Sequence, residues 1–158
     1  MRHKTTDWRG RLAAFALLFG CAMLALTYAA PAQAKPQAKM HKVVFEMSVD
    51  GMAKWESVVR NAANLQKTFG TRNTRIEIVA HGKGIGLVLS KTSQANPTLK
   101  KMIQELHQSG VVFAACNNTL QRMKIAKSDL LQVAVVVDSG VAEVVRKQEA
   151  GWTYIKSG

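Results

Sequence analysis

The most constraining feature of this 158-residue chain is a regular alternation of short apolar runs and helical patterns beyond residue 40. Short apolar runs bounded by turn residues predict strands, and apolar residues recurring every three or four positions predict helices. Five segments have the strand pattern: 42–47, 75–80, 111–115, 133–137 and 152–155. The segments 111–115 and 133–137 are apolar throughout, which predicts strands buried on both faces. Because such alternation favours a parallel sheet covered by helices, the sequence predicts an α/β domain.

The N-terminus has the composition of an export signal. Basic residues up to Arg11 precede an almost wholly apolar run, 12–30, and the small residues Ala32 and Ala34 fit a cleavage site. We therefore predict a signal peptide over 1–34, a linker over 35–40 and a domain over 41–158. The apolar run also approaches the length of a membrane span, so an uncleaved anchor is the alternative. A lipoprotein site at Cys21 fits less well, because bulky Phe19 precedes it.

The charge of the chain limits its partners. The formal net charge is +12, and the predicted signal takes four of the 22 basic and one of the ten acidic residues, which leaves +9. In an exported domain this charge argues against nucleic acid and fits anionic small molecules, an acidic partner or an anionic membrane surface. A scattered positive surface that only maintains solubility is an equally good interpretation.

Polar and reactive side chains follow the predicted strands. In an open parallel sheet, ligands bind beyond the carboxyl ends of the strands. The residues at these ends are Ser48 and Asp50, His81 and Lys83, Cys116 with Asn117 and Asn118, and Asp138 with Ser139. Those of the first three strands are the candidate site residues, although the sequence does not specify which strands are neighbours.

Cys116 is the most informative of these residues. It is the only cysteine beyond the predicted signal, so the domain cannot contain an internal disulfide. It ends an apolar strand and directly precedes a predicted helix, whose N-terminal amides favour a thiolate over a thiol. A thiolate can attack sulfur and carry it as a persulfide. The alternative is a buried cysteine that only fills space.

His81 is the second candidate, either as a proton-transfer partner or as an anion ligand. It precedes a glycine-rich stretch, 82–86, with the spacing G-x-G-x-G rather than the nucleotide-binding G-x-G-x-x-G. We interpret this stretch as a flexible turn that binds a small anion through backbone N–H groups. No pair of histidines has metal-ligand spacing, so we expect neither a metal nor a cofactor.

Several segments together resemble the DsrE/DsrF-like family of sulfur-relay proteins, including its YchN-like branch. They are HKVVF at 41–45, RNAANL at 60–65, IEIVAHG at 76–82, GVVFAACNNT at 110–119, SGVAE at 139–143 and QEAGWTYI at 148–155. The resemblance implies a three-layer α/β/α sandwich with a mainly parallel five-stranded sheet, and assembly into trimers or hexamers. It also implies that Cys116 occupies the position at which relay members carry a persulfide.

Two functions remain open at this point. The first is an exported, periplasmic sulfur carrier or sulfurtransferase, which would remain membrane-anchored if the signal is not cleaved. Its partners would be sulfur donor and acceptor proteins or small sulfur anions, with no nucleic acid and no membrane contact except through the N-terminal segment. The second is a non-catalytic oligomeric module that binds an anionic ligand or a protein partner. Candidate binding residues are His81, Lys83, Asn117, Asn118, Ser48 and Asp50.

Overall fold

A computed structural model describes residues 39–157, which contain one five-stranded sheet. The strands are β1 (His41–Met47), β2 (Thr74–Ala80), β3 (Val112–Cys116), β4 (Ala134–Val137) and β5 (Thr153–Ser157). The helices are α1 (Met52–Phe69), α2 (Ser90–Ala95), α3 (Pro97–Gln108), α4 (Asn117–Met123) and α5 (Gly140–Glu149). Short 3₁₀ helices span Thr71–Asn73, Gly82–Val88 and Lys127–Asp129.

The sheet has the strand order β4-β3-β2-β1-β5, and every neighbouring pair is parallel. The predicted parallel α/β fold is therefore confirmed. The strands end nearly level with one another, because Met47 lies opposite Ala80, Ala80 opposite Ala115, and Cys116 opposite Val137. This alignment brings the carboxyl ends of β1, β2 and β3 to the same end of the sheet, which we call the site edge.

Helices cover both faces of the sheet. On one face, Phe45 and Ile78 pack in a large core with α1, α3 and the 3₁₀ helix Gly82–Val88. On the other face, Val144 of α5 forms a smaller cluster with buried strand residues, namely Val44, Val79 and Ala114. The expected three-layer sandwich is confirmed, with one thick and one thin helical layer.

The prediction that 133–137 is a buried strand was wrong. The segment forms β4, which is an edge strand, and Val135 and Val136 are 49% and 37% exposed. An edge strand has a neighbour on one side only, so a continuous apolar run does not by itself place a strand in the middle of a sheet.

The prediction of a flexible, anion-binding turn at 82–86 was also wrong. Residues Gly82–Val88 form a 3₁₀ helix that is buried from Gly84 onward. Its first amides already have partners, because Gly82 N–H donates to the Thr119 hydroxyl and Gly84 N–H to the His81 carbonyl. The glycines allow close packing: a Cβ at Gly86 would lie 2.4 Å from the Trp55 ring.

The predicted signal peptide, 1–34, and most of the linker, 35–40, lie outside the described residues. Within residues 39–157, no helix is long and apolar enough to cross a membrane.

An ion pair between Lys147 and Glu77 joins α5 to β2. Its removal is expected to destabilise the domain. Lys147 Nζ lies 2.5 Å from Glu77 Oε2, and the Glu77 side chain is only 4% exposed. Burial raises the pKa of Glu77, although Lys147 opposes this change. In Lys147→Ala the buried carboxylate loses its counter-ion, so we expect the free energy of unfolding to fall by about 2 kcal/mol. Urea denaturation measures this change.

The exposed Lys156→Ala is the control for Lys147→Ala and should change the free energy of unfolding little. An unchanged unfolding midpoint in Lys147→Ala would show that the pair does not stabilise the fold.

Candidate functional site

Cys116 is the last residue of β3 and directly precedes α4, as the sequence predicted. Its side chain is 5% exposed, and the first residues of α4 and α5 supply polar groups near the sulfur. Burial opposes ionisation, but the Thr119 hydroxyl and the backbone amides of Gly140, Thr119 and Asn118 outweigh it. The pKa of the Cys116 thiol is therefore lowered from its usual value. The lowered pKa favours the nucleophilic thiolate.

The Thr119 hydroxyl is also hydrogen-bonded to the backbone at the end of β2. Its Oγ1 accepts from the Gly82 backbone N–H at 3.0 Å, and the residue is only 3% exposed. Since that bond uses the oxygen as acceptor, the hydroxyl proton remains for Cys116. Thr119 was not among the residues that the sequence singled out. A hydroxyl three positions after a cysteine that precedes a helix was the available signal.

Gly140, at the start of α5, packs closely against the ends of the neighbouring strands β2 and β3. A Cβ at this position would lie 2.9 Å from the His81 Cβ and 3.2 Å from the Cys116 Cβ. Any side chain would therefore separate the two, which gives a physical reason for glycine here. The Ser139 hydroxyl caps α5 by accepting from the Ala142 N–H at 3.4 Å. Cys116 thus lies beside the first residues of both α4 and α5.

Two hydrogen bonds through Glu46 link His81 to β1 and β5. His81 Nε2 lies 2.7 Å from Glu46 Oε1, and the Tyr154 hydroxyl donates to Glu46 Oε2. Burial opposes ionisation of Glu46, but the bonds from Tyr154 and His81 hold its pKa below the usual value. The bond to Glu46 raises the pKa of Tyr154 to about 12. Of the two His81 ring nitrogens, Nδ1 has no hydrogen-bond partner among residues 39–157.

Sequence reasoning did not identify Glu46 or Tyr154. Glu46 lies in an otherwise apolar strand segment, and Tyr154 comes from β5, which is last in the chain but pairs with β1. The charged residue within a predicted strand was a usable signal. The pairing of β1 with β5, which brings Tyr154 to Glu46, depends on the strand order.

The other predicted site residues lie near the carboxyl ends of β1, β2 and β3. Ser48 follows β1. Its backbone oxygen would lie 3.3 Å from a Cβ at Gly82, so Ser48 borders the start of the 3₁₀ helix that follows His81. The exposed Asp50 accepts a hydrogen bond from the adjacent Gly51 amide at 2.8 Å. Lys83 is exposed on the first turn of the 3₁₀ helix.

Asn117 and Asn118 begin α4 beside the sulfur, and Asn118 N–H also donates to the Asp138 carbonyl at 3.3 Å. Cys116 and His81 therefore form the centre of the site, together with Gly140 and Thr119. In the part of the chain that the structure describes, no three His, Cys, Asp or Glu side chains are grouped to hold a metal ion.

The fold and this site define an α/β protein with one cysteine at a strand-to-helix junction. The sequence profile of the DsrE/DsrF-like family matches residues 41–157. The chain therefore belongs to the DsrE/DsrF-like family, as the resemblance of its sequence motifs predicted.

A solved structure is similar to most of this chain. It is MTH1491 from Methanobacterium thermoautotrophicum, a protein of unknown function, which is 33% identical with a TM-score of 0.65. The match covers 73% of this chain and 98% of MTH1491. No curated protein matches this chain. The described residues, 39–157, form one compact unit with its own hydrophobic core, and the match includes nearly the whole of MTH1491.

Proposed function

We propose that this protein is an exported sulfur carrier or sulfurtransferase that holds sulfane sulfur as a persulfide on Cys116. The observation that carries the proposal is the position of this thiol at the end of β3, beside the first residues of both α4 and α5. The lowered pKa of Cys116 supports it. Membership of a family whose members include sulfur-relay proteins supports the same chemistry. The predicted signal peptide supports export to the periplasm.

The transfer needs no external oxidant. The Cys116 thiolate attacks the outer sulfur of a polysulfide or of a persulfidated donor protein, so a new S–S bond forms and the donor S–S bond breaks. The donor leaves as a thiolate or a shortened polysulfide and takes up a proton; from thiosulfate, the leaving group is sulfite. An acceptor thiolate then attacks the outer sulfur of the Cys116 persulfide, which regenerates the Cys116 thiolate.

The neighbouring residues have distinct roles in this mechanism. The amides and the Thr119 hydroxyl stabilise negative charge on the sulfur, as at other helix N-termini. His81, held through Nε2 by Glu46, supplies or accepts the proton through Nδ1. Lys83 is exposed nearby and attracts small sulfur anions toward the edge of the sheet.

Intact-mass measurement after incubation with polysulfide tests the proposal. In residues 35–158, Cys116 is the only cysteine, so any retained sulfur is assigned without ambiguity. We expect a gain of one or more sulfur atoms that a reductant removes, that is lost in Cys116→Ser, and that persists in Arg122→Ala on the same helix. A protein that gains no sulfur, or gains the same amount in Cys116→Ser, would contradict the proposal.

The low exposure of Cys116 favours one alternative, a non-catalytic module that binds an anionic ligand or a protein partner. The two functions differ in the rate at which iodoacetamide alkylates the folded protein. Rapid alkylation at neutral pH supports the sulfur carrier. Protection of the thiol until the protein is unfolded supports the binding module, in which Cys116 only contributes to packing.

We also propose that the protein assembles into a homotrimer or homohexamer. Four exposed valines lie on the face that α5 covers: Val112 and Val135 on the sheet, and Val141 and Val145 one turn apart on α5. Exposed apolar residues grouped in this way are typical of protein interfaces. Val141 directly follows Gly140, so a partner subunit on this face would border the cysteine.

Charge introduced on this valine face is expected to dissociate the assembly. In the double variant Val135→Asp with Val141→Asp, two carboxylates would be buried in the interface, so a monomer should result. Light scattering after gel filtration measures the mass. The matched control, Met123→Asp, changes an exposed apolar residue on α4 and should leave the assembly intact. A wild-type protein that is monomeric at micromolar concentration would contradict this proposal.

A further inference from the structure

The end of the domain opposite Cys116 has a dense positive charge. Residues 31–45 and 57–76, which supply the starts of β1 and β2 and the end of α1, include no acidic residue. Five exposed cations lie at this end, and we call them the basic pole: Lys39, Lys42, Lys67, Arg72 and Arg75. None of them forms an ion pair with another residue in 39–157. Their charge is therefore available to an external partner.

Apolar side chains are exposed among these cations. Met40 and Phe69 are 40% and 39% exposed, and the His41 ring stacks on Phe69 with 4.0 Å between ring centroids. A cleft of about 320 Å³ lies between these residues and the start of β5. The basic pole thus combines five positively charged side chains with exposed apolar side chains.

We propose that the basic pole binds the surface of an anionic phospholipid membrane. Lysine and arginine attract anionic headgroups, and apolar side chains beside them enter the boundary between headgroups and acyl chains. A highly charged polymer such as nucleic acid would use the cations but would leave Met40 without an apolar partner. The linker 35–40 also joins this pole directly to the apolar run 12–30 in the sequence. The proposal does not depend on the sulfur chemistry of Cys116.

Binding in this orientation would present the cysteine to the aqueous compartment. The seven residues of β1 span roughly 20 Å, at about 3.3 Å per residue. Acidic residues of the site edge, Glu46, Asp50 and Asp138, lie at the far ends of the strands from the basic pole. Arg146 pairs with Asp138 and Lys156 lies opposite Glu46, so charge of both signs is present at that end, whereas segments 31–45 and 57–76 contain no acidic residue. This difference favours one orientation on a negative surface.

Co-sedimentation with lipid vesicles tests the proposal, using residues 35–158 so that the apolar run does not contribute. We expect binding to vesicles of equal parts phosphatidylglycerol and phosphatidylcholine, little binding to pure phosphatidylcholine, and weaker binding as salt is added. Lys42→Ala with Arg75→Ala should lower the affinity about tenfold or more, because each cation near such a surface contributes to binding.

The matched control is Lys91→Ala with Lys100→Ala, which removes the same charge from exposed positions on α2 and α3. It should reduce binding much less. Equal losses in the two double variants would show a general effect of charge and overturn the proposal. Absence of binding to the anionic vesicles, or tighter binding to a single-stranded oligonucleotide than to the vesicles, would overturn it as well.

Discussion

Replacement of Gly84 by alanine is expected to lower the free energy of unfolding by about 3 kcal/mol or more, which is the upper range for overpacking a core. A Cβ at Gly84 would lie 2.1 Å from the Met47 carbonyl oxygen and 2.5 Å from its carbonyl carbon. These are backbone atoms of β1, so no side-chain rotation can relieve the contact. The 3₁₀ helix would have to move away from the end of β1. Thermal or urea denaturation of the domain measures the loss.

The consequences of Gly84→Ala should extend to the candidate site. The Met47 carbonyl also accepts the His81 backbone N–H at 3.0 Å, so a displaced strand end would move His81 as well. The control is Lys83→Ala at the adjacent exposed position, which should change the stability by less than about 0.5 kcal/mol. A Gly84→Ala domain as stable as the wild type would mean that the tight contact between this helix and β1 does not exist.

Removal of the Thr119 hydroxyl is expected to raise the pKa of Cys116 and to slow its reaction at neutral pH. In the wild type, alkylation should reach half its maximal rate below the ordinary thiol pKa of about 8.5, because the pKa of Cys116 is lowered. Below that midpoint, the rate follows the fraction of thiolate. In Thr119→Val the midpoint should move up, and the rate at pH 7 should fall about tenfold, because the thiolate loses a hydrogen bond.

Thr119→Ser is the matched control for this experiment, since it keeps the hydroxyl and loses only a methyl group. Its alkylation midpoint should remain near that of the wild type. If Thr119→Val and Thr119→Ser had the same midpoint, the hydroxyl would not stabilise the thiolate. The stability of Thr119→Val should be measured in parallel, because Gly82 N–H loses its acceptor in this variant.

The errors of the sequence analysis have a common cause. An apolar run at 133–137 predicted a buried strand, and glycines at 82–86 predicted a flexible turn. Each segment is apolar or glycine-rich as the sequence shows. Its burial and conformation, however, depend on which other segments pack against it. β4 has no strand on its outer side, and the glycines meet Met47 and Trp55 from other parts of the chain.

The sequence by itself determined the elements and the position of the reactive residue. Periodicity predicted the strands that became β1 to β5, and Cys116 was predicted at the junction of a strand and a helix. These features follow from residues adjacent in the chain, because helical and strand patterns are local.

Only the tertiary structure decided which residues surround the sulfur. The order β4-β3-β2-β1-β5 places His81 and Gly140 beside Cys116, and it brings Tyr154 to Glu46 across more than a hundred residues of chain. Strand order depends on how the helices pack against the two faces, and the spacing of residues along a single element does not contain that information.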